Sequence, residues 1–425
     1  MTSKNRQVPV HDEAYVWVWL PGATEPVVAG RAYRDGAYLS FNYGRSYLER
    51  DDATPLYLPE LPLKAGTIPP DSGLSMAGCL RDGAPDAWGR RVILNHTFGI
   101  KSKDADIGAL DELTYLLESG SDRIGALDFQ KSPTEYVPRA AHAATLEELL
   151  SAAEKVEKGV PLTPELDQAL FYGSSLGGAR PKAMIEDGDK KLIAKFSSST
   201  DTYNAVKAEF IAMRLAEQAG LSVAPVRLEY VAGKDVLLVE RFDRIKSEAG
   251  WQRKAMVSAL TIFGLDEMMA RYASYADLTE AIRHRFTAPK DTLRELFRRL
   301  VFNIVCGNTD DHARNHAAFW DGKHLTLTPA YDICPQSRTG NEASQAMLIK
   351  ADSRRSTLAT CMEASPNFQL DEGAAKKIVK DTLQAVRSEW QNICEEAELS
   401  KVDRNLFWER IFLNPSIFEG EYDFR

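Results

Sequence analysis

Apolar residues recur at helical spacing through Leu293, Leu296, Phe297, Leu300, Val301, Ile304 and Val305, and Gly307 follows as a terminator. This spacing predicts a packed helix that delivers the next segment to a fixed place. That segment is polar: Asn308-Thr309-Asp310-Asp311-His312-Ala313-Arg314-Asn315. Two strand-like runs, 316–320 and 324–327, flank Asp321-Gly322, a two-residue hairpin signal, and Pro329-Ala330-Tyr331-Asp332 closes the stretch.

Elsewhere the pattern is mixed. Residues 14–20 form a strand-like run, and turn-rich joints such as Pro69-Pro70 and Arg81-Asp82-Gly83-Ala84-Pro85 follow. They predict a β-rich N-terminal subdomain over 1–125, with a helix near 88–94. A mixed lobe over 126–243 is expected next. It holds a helix-like stretch at 146–157, strands at 183–185 and 192–196 about the turn Glu186-Asp187-Gly188-Asp189, and a helix over 204–219 stopped by Gly220. A buried strand ending in Val239 then turns polar at Glu240. Residues 244–425 read as mostly helical, so the fold class is α+β.

Composition narrows the function classes. Of 425 residues, 44% are hydrophobic and 27% charged, as in an ordinary soluble globular protein. No apolar run reaches the length of a membrane span and the first residues lack a signal-peptide core, so no membrane role and a cytoplasmic location are expected. The five cysteines are an odd number without a C-x-x-C pair and read as reduced thiols. A net charge of −9, from 52 basic and 61 acidic residues, argues against autonomous nucleic-acid binding, which needs a concentrated basic surface.

The polar loop carries the candidate chemistry. A carboxylate, an amide five positions on and a second carboxylate beyond a pair of strands have the spacing by which protein-kinase-like folds organise phosphoryl transfer. Such transfer is mainly positioning and neutralisation of phosphate charge by Mg²⁺, a hard cation that takes oxygen ligands. On this pattern Asp310 is the base that orients a hydroxyl and accepts its proton, and Asn315 and Asp332 are the metal ligands. Alone, Asn-Thr-Asp-Asp is also an ordinary polar turn; the helix before it and the hairpin after it favour the chemical reading.

A nucleotide-binding region is expected upstream. Gly173-Ser174-Ser175-Leu176-Gly177-Gly178-Ala179-Arg180-Pro181-Lys182 matches neither the P-loop nor the kinase glycine signature, yet backbone at Gly177 and Gly178 can approach phosphate oxygens. Lys195 lies on an apolar strand, where it either reaches solvent or is aimed at ATP phosphates with Glu209 of the next helix as its acidic partner. Backbone groups at Glu240 and Phe242 are candidates for the adenine edge and Asp243 for the ribose. A core strand ending in a salt-bridged loop accounts for that last segment equally well.

Five segments together resemble the HipA-type serine/threonine kinases, toxins of bacterial type II toxin-antitoxin pairs. They are Ser175-Leu176-Gly177-Gly178-Ala179-Arg180-Pro181-Lys182, Ile193-Ala194-Lys195-Phe196, Val239-Glu240-Arg241-Phe242-Asp243-Arg244, the 308–315 loop and Thr328-Pro329-Ala330-Tyr331-Asp332-Ile333. The resemblance implies a protein-kinase-like bilobal fold with an added N-terminal subdomain, ATP and Mg²⁺ as cofactors, Asp310 as base, Asn315 and Asp332 as Mg²⁺ ligands, and Lys195 at the phosphates. It also implies His312 near the nucleotide and autophosphorylation at Ser175 as an off-switch, with Ser174 the rival acceptor. A small helix-turn-helix antitoxin, DNA contact only through it, and an aminoacyl-tRNA synthetase as protein substrate complete the family pattern. The segment 251–258 departs from the acidic, Gln-bearing one expected after Arg244. The alternatives are a small-molecule kinase of the aminoglycoside or choline type and a non-catalytic co-repressor.

Overall fold

A computed structural model describes residues 11–98, 108, 110–140, 144–158, 160, 162–163, 170, 180–337, 340 and 342–424. The chain forms two compact units: residues 1–200, 230–257 and 320–323, and residues 201–229, 258–319 and 324–425.

The first unit contains two larger sheets among the described residues. Strands β1 (Glu13–Val18), β2 (Val27–Asp35), β3 (Tyr38–Tyr43) and β4 (Leu127–Gln130) form an antiparallel sheet of order β3-β2-β1-β4. Since β4 follows residue 125 and pairs with β1, the N-terminal sheet runs past the expected boundary. The second sheet contains β5 (Lys182–Asp187), β6 (Lys190–Phe196) and β8 (Lys234–Glu240), antiparallel in the order β5-β6-β8. Between them in sequence, β7 (Val226–Val231) carries the chain across the division between the units.

Period-two alternation decides what β6 presents. Leu192, Ala194 and Phe196 are buried, which turns Lys195 to the opposite face. The buried side packs with Val236 and Leu238 against Trp88, Val92 and Ile93 of α1 (Ala87–Phe98) and against Leu149, Leu150 and Ala153 of α3 (Leu146–Glu157). Each large side chain so buried contributes about 1.5–3 kcal/mol. Helix α2 (Glu112–Glu118) lies between them in sequence and begins at the Asp111 cap. At α3 the start is fixed by a capping box: Thr145 accepts from the Glu148 amide and the Glu148 carboxylate accepts from the Thr145 amide.

Past Arg244 the chain first makes a hairpin of β9 (Arg244–Ser247) and β10 (Gly250–Arg253), then β11 (Met256–Ser258), which leads into the second unit. The helical region therefore starts some fifteen residues later than its spacing predicts.

The second unit is built on helices α4 (Ala205–Gln218), α5 (Tyr275–Arg285), α6 (Pro289–Cys306), α7 (Leu358–Ala364), α8 (Glu372–Glu396) and α9 (Lys401–Phe407). Helix α6 is central, packing against α5, α7 and α8, and every residue from Arg299 through Cys306 is buried. Helix α4, capped by Asn204, packs on α8, and Arg214 Nε lies 3.0 Å from Glu396 Oε1. The expected 126–243 lobe is thus split, with residues 201–229 gathered among the helices because α4 buries its apolar face there. Strands β12 (Ala317–Trp320) and β13 (Leu325–Leu327) are adjacent in one sheet. Their connection is four residues rather than two, and the Asp321 carboxylate accepts from the Lys323 amide at 2.8 Å. No helix among the described residues is long and apolar enough to cross a membrane.

Candidate active site

The polar loop begins at a rigid exit. Gly307 has φ 73°, and the Asn308 amide reaches back to the Asn303 carbonyl at 2.8 Å, a Schellman-type ending for α6. A Cβ at Gly307 would come 2.5 Å from the Ile411 carbonyl oxygen, so glycine is required on both conformational and steric grounds. Buried Asn308 then donates through Nδ2 to Asn303 Oδ1 at 3.0 Å, which fixes the direction in which the loop departs.

Within the loop, Asp310 is exposed while its neighbour Asp311 is buried. Asn315 and His312 close the inner turn reciprocally: the Asn315 amide donates to the His312 carbonyl at 2.8 Å and the His312 amide to Asn315 Oδ1 at 3.1 Å. Asn315 Nδ2 donates to Asp332 Oδ2 at 2.9 Å. The two expected metal ligands, seventeen positions apart in sequence, meet side chain to side chain.

Asp332 arrives on a braced segment. Ala330 exchanges backbone hydrogen bonds with Ser222 and Ala224 at 2.7 and 2.9 Å, Arg299 Nη2 donates to the Thr328 carbonyl at 2.7 Å, and the Tyr331 hydroxyl donates to the Arg314 carbonyl at 2.7 Å. Asp332 itself has φ 58°, a left-handed conformation that only Gly, Asn and Asp tolerate readily. Strain held in place by surrounding structure is frequent at sites where chemistry demands a side-chain direction.

The carboxylates feel one another. Partial burial pushes the Asp310 carboxyl above its ordinary value; His312 opposes this, and the Asp332 and Asp311 carboxylates add to it. Crowded negative charge beside an Asn oxygen and an Asp oxygen suits a hard divalent cation, which would relieve the repulsion and take both oxygens as ligands. The residues present therefore fit Mg²⁺.

Expected nucleotide-binding residues in the first unit differ in outcome. Lys195 stands on the outward face of β6, directly opposite Lys182 of β5. Lys182 is buried, with Nζ 3.9 Å from Asp86 Oδ2, and sequence reasoning gave it no role. Two cross-strand lysines on one face repel unless an anion lies between or beside them, and the signal in the sequence was only that Lys182 ends the glycine-rich run. Glu240 ends β8 and its carboxylate lies 2.6 Å from Lys190 Nζ, while Phe242 is half-buried. Glu209 is buried on α4, in the second unit, whereas Lys195 belongs to the first. Ser174, Ser175, Gly177 and Gly178 lie outside the described residues.

Asp243 needs correction. It is buried, Oδ1 accepts from Arg241 Nε at 3.0 Å, and Oδ2 accepts from Arg241, Arg244 and the Gly125 amide at 2.9, 2.9 and 2.8 Å. Asp122 joins the cluster, 3.0 Å from Arg241 and 2.8 Å from Arg244. Both Asp243 oxygens are committed to protein donors, so the salt-bridged loop is what this segment forms, and ribose recognition by Asp243 is not supported. Burial alone would raise the Asp243 carboxyl, but Arg241 and Arg244 hold it below the usual range.

Comparison with known proteins extends these observations over most of the chain. A family model described as HipA-like C-terminal domain matches residues 174–390, and one described as HipA N-terminal domain matches residues 18–130. Y4mE of Sinorhizobium fredii, which carries the name of a kinase, is 26% identical over 324 residues, covering 69% of this chain and 71% of the relative. The serine/threonine-protein kinase toxin HipA of Shewanella oneidensis is 25% identical over 183 residues, 37% of this chain and 42% of the toxin. A solved structure of Shewanella oneidensis HipA, determined with HipB and operator DNA, shares the fold with a TM-score of 0.65 at 18% identity, covering 95% of this chain and 99% of that one. The chain, with its paired N-terminal sheet and its Asp310-bearing loop, belongs to the HipA family.

Proposed function

We propose that this protein is an ATP- and Mg²⁺-dependent kinase that phosphorylates serine or threonine hydroxyls of a protein, the toxin half of a toxin-antitoxin pair. The single observation that carries the reading is the meeting of Asn315 and Asp332 beside the exposed Asp310. Asp310, reachable from solvent on a rigid loop, suits a macromolecular hydroxyl better than a small enclosed substrate. It orients that hydroxyl and accepts its proton as the oxygen attacks. Asn315 and Asp332 hold the cation that, when bound, neutralises phosphate charge. Lys195 and Lys182 supply fixed positive charge to the phosphates, His312 lies near the nucleotide, and backbone at Glu240 and Phe242 recognises the adenine edge.

By family likeness, the substrate is an aminoacyl-tRNA synthetase, whose modification inhibits translation. The partner is a small helix-turn-helix antitoxin through which alone the complex reaches DNA, consistent with a net charge of −9. Self-phosphorylation at Ser175, adding about −1.5 to −2 charges beside the phosphates, is the off-switch. Incubation of the purified protein with Mg²⁺, labelled ATP and a cell lysate tests the reading. A labelled protein band absent from Asp310→Ala is expected; label only in a small metabolite, or none at all, overturns it.

A further inference from the structure

Each proposed functional residue of the loop is followed by a buried one, Asp310 by Asp311 and Asn315 by His316. These two followers meet. His316 Nε2 lies 3.0 Å from Asp311 Oδ1. The other oxygen of Asp311 accepts from the hydroxyl of Tyr275 in the first turn of α5. The Asp311 and His316 side chains are only 3% exposed and Tyr275 is fully buried. Tyr275 also packs edge-on against the His316 ring, centroids 5.5 Å apart, and tilted against Phe368 at 6.3 Å.

None of these three side chains performs a step in the proposed reaction, yet a buried carboxylate is costly unless its partners are held in place. Adjacent Cα atoms are about 3.8 Å apart, so holding residue 311 against residue 316 limits how far Asp310 can move from Asn315. Tyr275 ties this contact to a third element. Its amide donates to the Leu348 carbonyl at 2.8 Å, the Leu348 amide to Ala273 at 2.9 Å, and the Ala346 amide to the Thr309 carbonyl at 3.1 Å. Residues 346–348 are thereby stitched both to the start of α5 and to the loop.

We infer that Tyr275, Asp311 and His316 form a positioning cluster that staples the loop one residue behind Asp310 and Asn315, setting the separation of base and metal ligand. The inference rests on the phosphotransfer reading of that loop. Tyr275→Phe keeps the ring and removes only the hydroxyl. It should lower kcat by up to about 100-fold, the cost of a small misplacement of reacting groups, with KM for ATP unchanged. Deuterium exchange over residues 309–315 should quicken about tenfold, the equivalent of one lost hydrogen bond, while α6 stays protected. Asp311→Asn retains an acceptor for the hydroxyl and should be milder, and the double variant should lose less than the product of the two single losses, since both act on one cluster.

Unchanged exchange in the loop, exchange rising evenly through the second unit, unchanged kcat in an active enzyme, or losses in kcat that multiply in the double variant would each overturn the inference. If the wild type transfers no phosphate, the reading of the reaction fails. Exchange confined to residues 309–315 would in that case still establish the staple.

Discussion

Two acidic segments follow buried apolar elements in this chain, and they end up opposite in character. In the loop after α6, Asp310 is exposed and Asp332 accepts from the Asn315 side chain. After β8, every oxygen of Asp243 is taken by Arg241, Arg244 or a backbone amide. The difference is one of local charge balance. Glu-Arg-Phe-Asp-Arg brings its own guanidinium groups two residues before and one after the carboxylate; the fork of Arg241 fits it bidentately and Arg244 adds a bond to Oδ2. Asn-Thr-Asp-Asp-His has no arginine beside Asp310, and Arg314, four positions on, pairs with Glu267. An exposed carboxylate such as Asp310 stays open to a reacting partner, whereas one enclosed by guanidinium groups such as Asp243 does not.

The comparison breaks most sharply at Asp310. Asp310→Ala should lower phosphoryl transfer by roughly 10²–10⁴-fold without a change in melting temperature, because the side chain supports no packing. Steady-state kinetics beside a thermal melt will show whether the two effects separate. Asp243→Ala should do the reverse. Removing one partner of a buried ion pair costs about 3–5 kcal/mol, so denaturant unfolding should show the loss directly, with activity falling only as folded protein is lost. A destabilised Asp310→Ala, or a stable but inactive Asp243→Ala, would invert the assignment.

Gly307→Ala should cost about 1–3 kcal/mol, since it places a side chain in a left-handed conformation against the Ile411 carbonyl. It should reduce activity more than melting temperature if the loop's exit angle matters. The smallest effect concerns acid. Although burial opposes it, arginines hold Asp243 below and Asp122 well below the usual carboxylate range. Their contribution is complete above the unfolded value of about 3.9 and is lost as pH falls through the lower folded values. Asp243→Asn should therefore flatten the acid dependence of unfolding below about pH 5, measured by circular dichroism at stepped pH.

Local pattern carried much of the fold. Residues 146–157 and 204–219 were readable as helices because apolar spacing and capping residues agree there, and α6 because an unbroken apolar face ends in glycine. Lys195 was readable as strand-borne and out of register with Leu192, Ala194 and Phe196. The β9–β10 hairpin was not, since Arg244-Ile245-Lys246-Ser247 is too polar to signal a strand. The Tyr275, Asp311 and His316 cluster was also hidden: Tyr275 lies 36 positions from Asp311, and periodicity does not report a contact between side chains that far apart. Likewise, the grouping of residues 201–229 with the second unit depends on α4 packing against α8, far along the chain.

In the proposed reaction Asp310 and Asp332 do different things at one site. Calorimetric titration of Mg·ATP into Asp310→Ala and Asp332→Ala tests it most directly. Binding close to wild type is expected for Asp310→Ala, which nevertheless does not turn over, and lost Mg²⁺-dependent binding for Asp332→Ala. Equal binding by both variants, or equal loss by both, would contradict it.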